Sequence, residues 1–189
     1  MPDSVPVGVL LLRGVNVGAN RKLPMADLRA LLGDLGLTDI RTHIQSGNAV
    51  FRAPGGLEGL AERITAAIGA RFPFTPEAMV LPAGALAAIL GGNPFAEAGR
   101  ADGATVHIGV LARPARADPG ALQALAAPDE RFHLTDAAFY LHAPSGIGRS
   151  KLAARAEAVL KVPMTMRNQR VAEAIAALTH APATRGFPC

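Results

Sequence analysis

Between Arg13 and Leu23 the chain reads RGVNVGANRKL, which sets two glycines, two asparagines and three cations between an aliphatic run and a helical pattern. Glycine-rich loops ahead of a helix bind phosphate, because backbone N–H groups and the positive end of the helix dipole face the anion. The NTPase loop requires G-x-x-x-x-G-K-S/T. Here Gly14 and Gly18 stand one residue too close, and Lys22 is followed by Leu23. The dinucleotide fingerprint G-x-G-x-x-G is missing as well. A second stretch has the same leaning. From Arg149 to Arg170 six basic residues (Arg149, Lys151, Arg155, Lys161, Arg167 and Arg170) face one acid, Glu157, a local +5 against +4 for the whole chain. The chemistry on offer is anion binding without a named nucleotide motif.

Other chemistry is poorly equipped. His43, His107, His133, His142 and His180 show neither H-E-x-x-H nor paired ligand spacing, so no metal site is expected. Ser46 and Ser145 precede glycine but lack the G-x-S-x-G elbow. Asp129 and Glu130 adjoin in a turn and read as a solvated pair. Cys189 is the one cysteine and the last residue, which excludes an internal disulfide framework and reads as a dangling thiol. No catalytic residue and no cofactor is assigned, and whether the protein is an enzyme stays open.

The chain has 189 residues, half of them apolar, enough for one ordinary domain or two small ones with a real core. No apolar run reaches the roughly 18 residues that span a bilayer. The start MPDSVPVGVL has no basic n-region, so a cytoplasmic protein without a membrane partner is expected. Net charge by itself says little, because 16 of the 19 basic residues are arginine in a chain rich in Ala, Gly and Pro.

These residues must be positioned by short alternating elements. VGVLLLR from Val7 predicts a strand, and PMADLRALLGDLG a helix on Met25, Leu28, Leu31, Leu32 and Leu35, with Pro24 at its first turn and Gly36 as its stop. DIRTHIQSGNAVFRA reads as two strands around Ser46 and Gly47. LEGLAERITAAIGARF is an amphipathic helix on Leu57, Leu60, Ile64 and Ile68, and EAMVLP a last strand. Residues 1–82 thus form one βαββαβ unit. Residues 83–102, rich in Pro, Gly and Ala, read as a linker with one short helix at PAGALAAIL. Residues 103–181 repeat the order with ATVHIGVLA, DPGALQALAA, RFHLT, AAFYLHA, SKLAARAEAVLK and PMTMR, then a closing helix NQRVAEAIAAL; residues 182–189 are a tail. The repeat is one of pattern, without residue-level identity.

A βαββαβ unit is the ferredoxin-like split βαβ arrangement, an antiparallel sheet with two helices on one face. The expected class is therefore α+β, two ferredoxin-like subdomains in tandem. Right-handed crossovers send the first and second strands the same way, and the third and fourth the same way. The loop from Arg13 to Leu23 and the hairpin from Gln45 to Asn48 then leave the sheet at one end. That end would gather Arg13, Asn16, Arg21, Lys22, Gln45, Ser46 and Asn48 near a helix N-terminus. In the second half PSGIGRSK and RNQR share an end, bringing Arg149, Ser150, Lys151, Arg167, Asn168 and Arg170 to two more helix N-termini. The rival account of the same residues is structural: Asn16 and Asn48 satisfy turns, Ser150 or Asn168 caps its helix, and the arginines are solvated.

The stretch LLRGVNVGANRKLPMADLRALLGDLGLTDIRTHIQSGNAVF resembles the N-terminal signature of the bacterial domain of unknown function 1697 family, and PSGIGRSKL with MTMRNQRV resembles its C-terminal signature. The resemblance covers nearly the whole chain and implies two ferredoxin-like subdomains. It places the family's typical residues at Arg13, Gly14, Asn16, Val17, Gly18, Gln45, Ser46, Gly47, Asn48, Ser150, Arg167 and Asn168. It implies no activity, since none is established for the family. Where the family has a tryptophan and then Asn-Thr after the Arg-Asn pair, this chain has Gln169, Arg170 and Val171.

RNA-recognition modules share this topology and stack bases on aromatics of their central strands. With 4% aromatics, and only Phe51, Phe139 and Tyr140 in the central strands, such a platform is poorly furnished. The expected function is binding of an anionic ligand, a nucleic acid backbone or a nucleotide or other phosphorylated metabolite. An enzyme acting on such a metabolite and a protein-interaction module are the rivals, and a homo-oligomer is open.

Overall fold

The computed structural model describes residues 5–18 and 20–180. The tail from residue 182, with Cys189, lies outside the described residues. Two units form: unit 1 takes residues up to Ala87 and from Ala174 onward, and unit 2 runs Ala88–Glu173.

In unit 1 the strands are β1 (Val7–Arg13), β2 (Thr38–His43), β3 (Asn48–Arg52) and β4 (Glu77–Pro82), with helices α1 (Met25–Asp34) and α2 (Leu60–Arg71) between them. The strand order is β2-β3-β1-β4 and every neighbouring pair is antiparallel. Alternation along β1 divides its side chains: Leu10 and Leu12 join the core under the helices with Leu28, Leu32, Phe51, Ile64 and Ile68. Val9 and Leu11 point the other way and are also buried, which is why β1 reads as a continuous apolar run. Helix α1 buries Met25, Leu28, Leu31 and Leu32, one stripe at helical spacing. Each fully buried Leu contributes about 1.5–3 kcal/mol. Pro24 stands just outside the first turn, and Gly36 at φ +85° ends the helix as expected. Leu57 lies outside α2 yet packs against the same core.

The hairpin between β2 and β3 depends on Gly47. Its φ is +72°, and a Cβ there would stand 2.6 Å from Leu12 Cβ and 2.7 Å from Val15 Cγ2. Only glycine meets both demands. Arg41 on β2 donates to both carboxylate oxygens of Asp39 at 2.9 and 3.0 Å and to the Leu178 carbonyl at 3.0 Å.

Between β4 and β5 (Val106–Leu111) stand two helices, α3 (Ala83–Gly91) and α4 (Ala96–Ala101). The spacing predicts only the first, because AEAGRA carries no apolar period. Unit 2 continues with α5 (Pro119–Gln123), β6 (Arg131–Leu134), β7 (Ala138–His142), a 3₁₀ turn at Ile147–Arg149, α6 (Lys151–Leu160), β8 (Met164–Asn168) and α7 (Gln169–His180), whose residues from Ala174 belong to unit 1. Its strand order, β6-β7-β5-β8, repeats that of unit 1, again antiparallel throughout. The chain is an α+β protein of two ferredoxin-like subdomains. No helix among the described residues is long and apolar enough to cross a membrane.

Candidate functional site

In unit 1 the β1–α1 loop and the β2–β3 hairpin do leave the sheet together. Leu12 N donates to the Gly47 carbonyl at 2.9 Å, and Asn16 Nδ2 donates to the Gln45 carbonyl at 2.5 Å. Asn16, at φ +55°, also donates to the Leu23 carbonyl at 2.9 Å and accepts from Leu23 N at 2.8 Å. Its backbone N donates to the Arg21 carbonyl at 2.7 Å, so this one residue closes the loop. Asn48 is fully buried and donates to Ser46 Oγ at 2.8 Å and to the His43 carbonyl at 3.3 Å. Both asparagines serve turns, in keeping with the structural account.

The cations of this end differ in their engagements. Arg13 pairs with Glu77 at 3.1 Å, its cross-strand neighbour. Arg21 lies half-buried with its guanidinium 5.6 Å from the Phe74 ring centroid and donates to the Thr75 carbonyl at 3.4 Å. Lys22 and the Gln45 side chain are exposed, and Lys22 makes no ion pair or hydrogen bond among the described residues.

In unit 2 the loop after β7 and the end of β8 also share an end, since His142 stands opposite Val106 and Asn168 opposite His107. Ser150 caps α6 by accepting from Ala153 N at 2.9 Å, and Asn168 accepts from Val171 N at 2.9 Å in the first turn of α7. β7 and β8 flank β5 on opposite sides, and the cations divide accordingly. Arg149 and Lys151 line a groove of about 260 Å³ with residues 124–127. Arg167 instead donates to Thr165 Oγ1 at 3.2 Å and to the Met166 carbonyl at 2.9 Å, and burial lowers its pKa to about 10. Arg170 reaches Asp102 at 3.4 Å. Neither of these two lines the groove.

A smaller groove of about 100 Å³ adjoins Arg149 and is lined by Asp129, Glu130 and Ser145 among others. The pair Asp129–Glu130 is not simply solvated: Glu130 is buried and accepts from Ala127 N at 2.9 Å, because its turn needs an acceptor for that amide. Ser145 Oγ donates to Asp129 Oδ2 at 2.7 Å. Among the described residues no three His, Cys, Asp or Glu side chains are grouped to hold a metal ion.

The sheet of unit 2 is closed at its aromatic. Tyr140 is 2% exposed, its hydroxyl donates to the Ile89 carbonyl at 2.7 Å, and its pKa is raised by burial. A base has no access to that ring. Missing from the sequence reading is a buried amide network. Asn93 Nδ2 donates to Gln169 Oε1 at 2.9 Å, and Gln169 Nε2 donates to Glu173 Oε1 at 2.7 Å and to the Ala96 carbonyl at 3.3 Å. The departure at Gln169 was its one visible signal; nothing local marks Asn93.

Two four-stranded antiparallel sheets with interleaved helices define a tandem α+β protein, and asparagine-built turns and cations stand at the strand ends. The family model described as "Protein of unknown function (DUF1697)" matches residues 7–140, and the chain belongs to that family. The structure of the conserved bacterial protein SP0830 from Streptococcus pneumoniae is similar in fold, with a TM-score of 0.65 and 22% identity over 92% of this chain and 98% of that one. No curated protein matches the chain.

Proposed function

We propose that the protein binds a phosphate-bearing anion, as a nucleic acid backbone or a phosphorylated small molecule, with Arg149 and Lys151 as its charge contacts. One observation carries the reading: both cations line one groove, its other walls are residues 124–127, and no carboxylate lines it. Neither cation has an ion pair or hydrogen bond among the described residues. The N-terminus of α6, where Lys151 is the first residue, adds its dipole to the same end. The other basic candidates have internal engagements, apart from Lys22. A single cysteine in the whole sequence is in keeping with action in the cytoplasm.

The test is titration with inorganic phosphate, a mononucleotide and an oligonucleotide over a range of salt. Replacing Arg149 and Lys151 together by Gln should flatten the slope of log affinity for the oligonucleotide against log salt by about 1–2. A phosphorylated small molecule would instead saturate the mononucleotide titration and lose affinity in the same variant. Arg113 donates to the Lys161 carbonyl at the opposite end of the sheet. Replacing Arg113 and Arg116 should leave the slope alone. Equal effects from the two pairs would reduce the binding to general basicity.

A further inference from the structure

Two exposed aliphatic side chains stand at the loop end of unit 1, and we infer that they form, with Lys22, a contact surface for single-stranded nucleic acid. Ile44 and Val17 would pack on base faces while Lys22 meets the backbone. This surface belongs to unit 1 and does not rest on the Arg149–Lys151 groove.

Val5, Val17 and Ile44 are the exposed large hydrophobics among the described residues, with Val17 at 58% and Ile44 at 51%. Val17 and Ile44 flank the bond from Asn16 to Gln45, so their loops are tied together beside them. Ile44 is also held at φ +49°. A β-branched residue is disfavoured in that left-handed region, where Asn or Gly fits with less strain. Half in solvent, Ile44 recovers little from the core. An unfavourable local conformation at an exposed apolar residue points to a use outside the fold.

Charge and polarity select the partner. Residues 14–24 and 44–48 contain Arg21 and Lys22 and no carboxylate. Of the acids near this end, Glu77 is paired with Arg13 and Asp27 sits in the first turn of α1, which leaves Lys22 as the charge that would meet a negative partner. The exposed side chains of Asn20 and Gln45 would lose their hydrogen bonds in lipid. A nucleic acid offers negative charge, apolar faces and hydrogen-bonding edges together. In a duplex, apolar side chains reach base faces only by prying steps apart. A single strand already exposes them. The Asn16 and Gly47 bonds hold the surface in place before binding.

The test is fluorescence anisotropy of the full chain with a labelled mixed-sequence single strand of about 12 nucleotides, beside the same sequence as duplex and vesicles of phosphatidylglycerol. The single strand should bind best. Ile44→Asn and Val17→Asn should each weaken it by about fivefold, through lost burial of apolar area, and Lys22→Gln should lower the salt slope by about 1. Ile44→Asn should keep or raise the melting temperature, because Asn tolerates the left-handed backbone. The double replacement of Arg149 and Lys151 by Gln should leave both aliphatic effects in place. Absent single-strand binding, equal or tighter binding of duplex or vesicles, or unchanged affinity in both aliphatic variants would overturn the inference. A lower melting temperature for Ile44→Asn would return Ile44 to the fold and overturn it too.

Discussion

The side-chain amide of Asn16 donates to the main-chain carbonyl of Gln45 at 2.5 Å, joining two loops 29 residues apart. The same amide serves Leu23, and the residue sits in the left-handed region at φ +55°. Asn16→Ala should destabilise the protein by about 2–4 kcal/mol, the sum of left-handed strain and several lost hydrogen bonds. Asn16→Gly should recover the backbone part alone. Urea midpoints of the two variants measure the split; an alanine variant as stable as wild type would remove Asn16 from this role.

Gly99 and Gln169 make a coupled pair. In an ordinary helix Gly→Ala gains about 1 kcal/mol. At Gly99 a Cβ would stand 1.8 Å from Gln169 Oε1, and Gln169 is held in the buried network, so the clash wins. Gly99→Ala should cost about 1–3 kcal/mol, and Gln169→Ala a similar amount by leaving the buried Asn93 Nδ2 without its acceptor, although Asn93 Oδ1 keeps its bond from Phe95 N. Combined, they should cost less than their sum by about 1 kcal/mol or more. Strict additivity in a double-mutant cycle would dismiss the coupling.

His107 lies 8% exposed on β5, and its Nδ1 has no hydrogen-bond partner among the described residues. Burial holds its pKa below the ordinary 6.5, opposed by the Thr105 backbone. The unfolded chain therefore takes the proton at a pH where the folded chain does not, and stability falls as pH drops through the ordinary histidine range. His142 acts in the same direction through burial and then the charge of Arg131, with Asp129 opposing. His107→Leu should leave stability at pH 7.5 little changed or higher, and should reduce its loss between pH 7.5 and pH 5. An unchanged pH dependence of unfolding free energy would show that His107 does not titrate on unfolding.

Elements whose signals are local were legible in the sequence. β1 is a continuous aliphatic run because both its faces are buried, and α1 shows its stripe because one face packs under the sheet. Ser150 precedes its helix and caps it from there. The meeting of the Arg13–Leu23 loop with the hairpin also followed from strand order and crossover handedness alone. α4 was invisible, since six residues of Ala, Gly and charge have no apolar period. What the tertiary structure decided is how each polar group is used. Arg13 answers Glu77 from 64 residues away, and Asn93 answers Gln169 from 76. Arg149 and Lys151 share a groove that Arg167 does not line, although all three lie in one basic stretch. Residue type limits what a side chain can bond, but its partner is whatever folding brings within about 3 Å, and strand pairing over long separations sets that.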